Sequence, residues 1–174
     1  VGNQRRGTTS ILNNTVSDAG VPATPGPVLA KILELEEKLK IKERFVAKNP
    51  SSFQGHREVA LGLSQLGDAL TENEDFSGAI SCFDQSLAVS ERLAGRNPGS
   101  AEALRDVAVS LNRLGAALGT KELFKDANEN FILALKISQH LAEQTPQNRQ
   151  AQRDVWFSLN KLGDMSIKTG NTND

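Results

Sequence analysis

Two histidines, one cysteine and three evenly spaced arginines are the residues of this 174-residue sequence best suited to chemistry. His56 and His140 have no Cys or second His at ligand spacing, which argues against a metal centre. Cys82 is the sole cysteine, so an intramolecular disulfide and a multi-cysteine metal site are excluded. It stands beside Phe83 and reads as an inert helical thiol. The adjacent carboxylates Glu36 and Glu37 point apart on a helix and suit a solvated surface rather than an acid/base pair. No glycine-rich phosphate loop follows a strand pattern. No catalytic residue, metal or cofactor is therefore expected, and the chain is not expected to be an enzyme.

The arginines carry more information. Arg57, Arg105 and Arg153 lie 48 residues apart, and each is followed by an acid: Glu58, Asp106 and Asp154. Two roles suit such a ladder. The guanidinium groups can line an anionic partner, or they can pair with the acids between repeats and hold helices in register.

The 48-residue shift extends well beyond the arginines. It aligns Asn49-Pro50 with Asn97-Pro98 and Thr145-Pro146. It aligns Leu63, Leu66 and Gly67 with Leu111, Leu114, Gly115 and with Leu159, Leu162, Gly163. It also aligns Phe76, Ala79, Phe83 and Leu87 with Phe124, Ala127, Phe131 and Leu135, without a gap. Self-similarity of this kind marks a repeat architecture.

Each unit holds two helices. Val59, Leu63, Leu66 and Leu70 step by three and four and so share one helical face, and Val107, Leu111, Leu114 and Leu118 repeat the stripe. Ser52, Ser100 and Asn148 follow the prolines at one phase and can cap the first helix of each unit. The second helix carries Phe76, Ile80, Phe83 and Leu87 and stops before Asn-Pro, where the α region is disfavoured. Val28, Ile32, Leu35, Leu39 and Val46 fit a second helix one unit earlier. The expectation is an all-α solenoid of antiparallel hairpins with no β-sheet and six helices, at about 28–47, 52–71, 75–95, 100–119, 123–143 and 148–168.

Composition narrows the function classes. There are 20 basic and 21 acidic residues, so nucleic-acid binding, which calls for a basic excess or patch, is not expected. No stretch approaches the roughly 18 apolar residues that span a bilayer, so membrane insertion is not expected either. No signal-peptide pattern stands at the start, and a cytoplasmic location is the expectation. Val1 rather than Met at the start suggests a chain processed or cut from something longer.

The residues Leu66, Gly67, Ala79, Phe83 and Ser86, and again Leu114, Gly115, Ala127, Phe131 and Ala134, resemble the tetratricopeptide repeat. In that pattern Gly and Ala let two antiparallel helices approach while Leu and Phe fill the space between. Two features depart from it. Leu63 and Leu70 stand where the family has Trp and Tyr. The family period is about 34 residues, and the longer spacing here adds about four helical turns, shared between the two helices of a unit. The resemblance covers residues 28–168 and implies an α-solenoid whose first helices line a concave, protein-binding groove.

It also implies which residues face that groove: Leu61, Ser64, Gln65 and Asp68; then Val109, Asn112, Arg113 and Ala116; then Phe157, Asn160, Lys161 and Asp164. Arg57, Arg105 and Arg153 each stand one turn before such a set. The apolar first column with polar neighbours suits an extended peptide or a partner helix. The family's clamp for C-terminal carboxylates uses Lys and Asn at several of these places. Ser64, Asp68 and Phe157 depart from it, so that ligand is not expected.

The leading expectation is a non-catalytic scaffold or adaptor that binds a protein or peptide. An alternative is the regulatory or sensory repeat segment of a larger signalling ATPase, kinase or protease. A third is self-assembly through the terminal helix 148–168, which no second helix follows and which carries Trp156 and Phe157. Adjacent helical residues diverge by about 100°, so at least one of the two aromatics should be partly exposed, near the groove. Residues 1–27, rich in Gly, Thr, Asn and Pro, suit a linker or tail whose islands Ile11-Leu12 and Val16 could enter the groove. Residues 169–174 form a short C-terminal tail.

Overall fold

A computed structural model describes residues 25–170. It contains six α-helices: α1 (Pro27–Lys48), α2 (Phe53–Glu72), α3 (Phe76–Arg96), α4 (Ala101–Thr120), α5 (Phe124–Gln144) and α6 (Arg149–Thr169). No strand occurs among the described residues. The fold is the all-α helical solenoid expected from the sequence, and the helix boundaries fall within about one residue of the spacing-based ones. The tail expected over residues 1–27 lies outside the described residues up to position 24. Pro27 is the first helical residue of α1, where its missing N–H costs no intrahelical bond.

The punctuation between helices is set locally. Ser52 and Ser100 each accept one backbone N–H of the first turn, from Gly55 at 3.0 Å and Ala103 at 3.2 Å. Asn148 accepts from Gln150 at 2.9 Å. Asp75 caps α3 in the same way, accepting from the Gly78 N–H at 2.9 Å. Leu123, one unit later, gives α5 no side-chain cap. Helices α1, α3 and α5 end at Asn49, Asn97 and Thr145, each immediately before a proline.

Consecutive helices pack on one another, and α2, α4 and α6 also touch directly, which forms an inner layer. Each first helix uses two faces. One docks on the preceding helix through small residues seven apart: Gly55, Gly62 and Ala69 in α2, and Ala103, Ser110 and Ala117 in α4. The other seats the following helix through Leu63, Leu66 and Gly67, or Leu111, Leu114 and Gly115. The Phe83 and Phe131 rings fill the hollows at Gly67 and Gly115, where a Cβ would stand 2.6 Å and 2.9 Å from them.

Helix α6 departs from the sequence expectation. Its docked face is Ala151, Ser158 and Met165, again seven apart. Val155 and Leu162 are only partly buried, and Leu159 is 50% exposed. The stripe that forms core in α2 and α4 is not core here, because no helix among the described residues packs on that side. For the same reason Gly163 has nothing within 4 Å of where a Cβ would stand, although it shares the phase of Gly67 and Gly115.

Candidate interaction groove

Along the inner layer, three apolar residues of one repeat phase stand in a column. Leu61 is 47% exposed, Val109 is half-buried and Phe157 is 42% exposed. A solvated helix face would carry polar residues here. Between α2 and α4 the column opens into a cleft of about 130 Å³, with Leu61 and Val109 as walls and Arg57, Glu58, Asp106 and Arg113 at its rim. The cleft also reaches Ser64, Ser86, Ser90 and Ser110, all buried.

These hydroxyls satisfy one another. Ser86 Oγ donates to the Ala60 carbonyl at 2.9 Å, so it accepts from Ser64 Oγ at 2.9 Å. Ser110 Oγ lies 3.3 Å from Ser86 Oγ and 3.4 Å from Ser90 Oγ. Ser86 and Ser90 were not singled out as a hydroxyl pair in the sequence. The available signal was their four-residue spacing on a helix whose other buried positions are apolar.

The arginine ladder is an inter-repeat one. Arg57 Nε pairs with Asp106 of the next unit at 2.5 Å, and its Nη1 with Glu102 at 2.7 Å. Arg105 Nε pairs with Asp154 at 2.6 Å. The hydrogen bond to Asp106 raises the Arg57 pKa further, so its charge is permanent. Glu58, the first acid of the series, meets Lys42 of α1 at 3.1 Å. Arg153 has no carboxylate among the described residues and reaches only Gln150 Oε1, at 2.6 Å.

The remaining expected groove residues divide. Ser64 and Asn112 are buried, and Asn112 donates to Ser158 Oγ at 3.1 Å, so both brace neighbouring helices from inside. Asp68 pairs with Arg113 of the next unit at 3.2 Å. Burial raises the Asp68 pKa, and Arg113 opposes that. Lys161 lies 5.6 Å from the centroid of the Phe157 ring and 3.6 Å from Asp164. Asn160 and Asp164 line a second, shallower hollow on α6 with Trp156 and Gly163, away from the cleft. The expected residues thus meet at Arg57, Leu61, Ser64, Val109 and Arg113 and separate at the C-terminal end.

The described residues bring together no group of His, Cys, Asp and Glu that could hold a metal ion. No described helix is long and apolar enough to cross a membrane. Cys82 is buried beside the core, and burial pushes its thiol up to about 11.

Residues 59–99 match the family model of the tetratricopeptide repeat. They span most of α2, all of α3 and the Asn97-Pro98 stop, which is one hairpin of the array. The chain carries a tetratricopeptide repeat. Among solved structures it resembles the crystal structure of BtubC (BKLC) from P. vanneervenii, at 17% identity with a TM-score of 0.40 over 83% of this chain and 68% of that one. No curated protein matches the chain. The tetratricopeptide repeat is in general a non-catalytic module, and its presence points to a protein-interaction scaffold.

Proposed function

We propose that this chain is a non-catalytic interaction module that binds a peptide or partner helix along its inner layer. The observation that carries the proposal is the exposed column Leu61, Val109, Phe157, set beside a cleft whose charges are already paired. A partner that lays apolar side chains on the column gains burial without breaking the Arg57–Asp106 or Asp68–Arg113 pairs. The free energy then comes from apolar area, with the paired charges as a polar rim. Alternate residues of an extended peptide, or residues three and four apart on a helix, match a column of this kind. The paired arginines favour a partner that is not strongly anionic, since an acidic one would have to displace Asp106 and Asp154.

The test is affinity purification on the full chain and on the Leu61→Glu, Phe157→Ala double variant. Equal helicity of the two chains is checked first by circular dichroism. Partners kept by the parent and lost by the variant support the groove. The same partners kept equally by both would remove the inner layer from the binding surface.

A further inference from the structure

The two junctions between successive first helices use the same repeat phases but are filled differently. Between α4 and α6 the carboxamide of Asn112 is buried and donates to Ser158 Oγ at 3.1 Å. Ser158 Oγ in turn donates to the Asp154 carbonyl at 3.1 Å. One unit earlier, between α2 and α4, Ser64 stands at the phase of Asn112 and Ser110 at the phase of Ser158. Serine lacks the carboxamide, and at that place the cleft of about 130 Å³ opens beside Leu61 and Val109. One water needs only roughly 10–15 Å³, so the cleft has room for the end of a side chain.

A second observation concerns Ser110. It is 3% exposed, and its Oγ has only long contacts, at 3.3 Å to Ser86 and 3.4 Å to Ser90. Paired hydroxyls usually stand about 2.5–3.0 Å apart. Ser86 gives its proton to the Ala60 carbonyl and has a closer donor in Ser64, both at 2.9 Å. Ser110 is therefore the loosest member of the network, a buried hydroxyl with bonding capacity in the lining of the cleft. Its counterpart Ser158 has that capacity used by an amide.

We propose that the cleft between α2 and α4 is a specificity pocket for a primary carboxamide, the side chain of a glutamine in the peptide that the groove binds. The inference rests on the groove reading and names one residue of the partner. The amide nitrogen donates to Ser110 Oγ, as Asn112 Nδ2 donates to Ser158 Oγ. The two methylenes of the glutamine lie between Leu61 and Val109, the apolar walls. Asparagine is one methylene shorter and reaches the floor less well.

Other head groups fit the cleft worse. A carboxylate would meet Glu58 and Asp106 at the rim, where Arg57 and Arg113 are already paired with Asp106 and Asp68. An ammonium group would find the same two acids held by Lys42 and Arg57. An apolar tip would close Ser110 off from water and give it no partner, which costs binding. A neutral amide donates and accepts without a charge to desolvate.

The test uses the full chain, immobilised, and three synthetic peptide libraries: Leu-x-Gln-x-Leu, Leu-x-Glu-x-Leu and Leu-x-Met-x-Leu, with x randomised. Glutamate and methionine are close to glutamine in size, so the head group is what differs. The parent chain is expected to retain the Gln library at least about tenfold better than either of the others. Two variants check the place. Ser64→Asn supplies within the chain the carboxamide that Asn112 supplies one junction later, and Ser110→Ala removes the acceptor. Each is expected to keep the parent's helicity and to lose the preference for Gln. Equal retention of the three libraries by the parent, or a preference that survives either variant, overturns the pocket and leaves a solvent-filled cleft beside an intact groove. Libraries retained no better by the parent than by Leu61→Glu overturn the groove reading, and this inference falls with it.

Discussion

The ring of Phe131 lies in the hollow that Gly115 leaves on α4, so close that a Cβ on the glycine would stand 2.9 Å from it. Phe131 is fully buried within the hydrophobic core, so its ring has little room to move aside. Gly115→Leu is therefore expected to lower stability by about 1–3 kcal/mol, the overpacking range. Thermal melting followed by circular dichroism measures this, and a melting temperature equal to the parent's would show that the contact does not hold α4 to α5.

The pairs Arg57–Asp106 and Arg105–Asp154 bridge successive first helices. Asp154 is the more buried partner of the second pair, while Arg105 is about 40% exposed, so solvent screening limits the gain. A double-mutant cycle with Arg105→Ala and Asp154→Ala should give a coupling of about 0.5–1 kcal/mol. The matching cycle on Arg153 and Asp154 should give a smaller coupling, since Arg153 reaches that carboxylate only through Gln150. Equal coupling in both cycles would dismiss the inter-repeat ladder.

Helix α5 begins with a defect that α3 lacks. Leu123 is 47% exposed and caps nothing, whereas Asp75 at the same phase accepts the Gly78 N–H. Leu123→Asp should raise stability by about 1 kcal/mol by supplying the missing cap. Glu122, just before it, has a φ of 59°, in the left-handed region that glycine adopts without a Cβ penalty. Glu122→Gly should therefore also be stabilising or neutral. Denaturant titration reads both, and a drop in midpoint for Leu123→Asp would refute the capping argument.

Two buried serines at neighbouring phases should respond in opposite ways. Ser86 donates to the Ala60 carbonyl and accepts from Ser64, so Ser86→Ala leaves buried groups unpaired and should cost about 1–2 kcal/mol. Ser138 Oγ is buried with no partner in the structure. Ser138→Ala removes an unsatisfied hydroxyl and should be neutral or stabilising. The comparison is a pair of urea midpoints, and the reverse order would mean the hydroxyl network contributes nothing.

Cys82 should be protected from thiol reagents. Burial pushes its thiol up to about 11, from an ordinary value near 9.0, so little thiolate forms at neutral pH. An unfolded chain ionises at the lower value, so folding holds the thiol protonated. The stability linked to this group is intact below pH 9.0 and is lost as pH rises towards about 11. Replacement by alanine should flatten the fall in stability across that window. Labelling of the native chain at the rate of a free thiol would contradict the burial.

Much of the array was legible in the residues because its causes are local. Ser52, Ser100 and Asn148 cap the helices they precede, and prolines 50, 98 and 146 stop the ones before them. Those effects act within one turn, so composition and spacing place six helices to within a residue. The 48-residue recurrence of Leu66-Gly67 and Phe83 also sets which faces pack, since each hollow and each ring recur together.

What tertiary structure decided concerns groups whose environment comes from another unit. The sequence left open whether Arg57 and Arg105 meet a ligand or an acid. Only the stacking of α2, α4 and α6 brings Asp106 and Asp154 within 2.6 Å of them. Ser64 and Asn112 carry groove-facing phases but are buried against hydroxyls of other helices, Ser86 on α3 and Ser158 on α6. Leu159 and Gly163 carry core phases but stand open. A residue's type and phase fix which way it points along its helix. Burial depends on whether a second helix stands there, and that is a property of the neighbouring unit rather than of the residue.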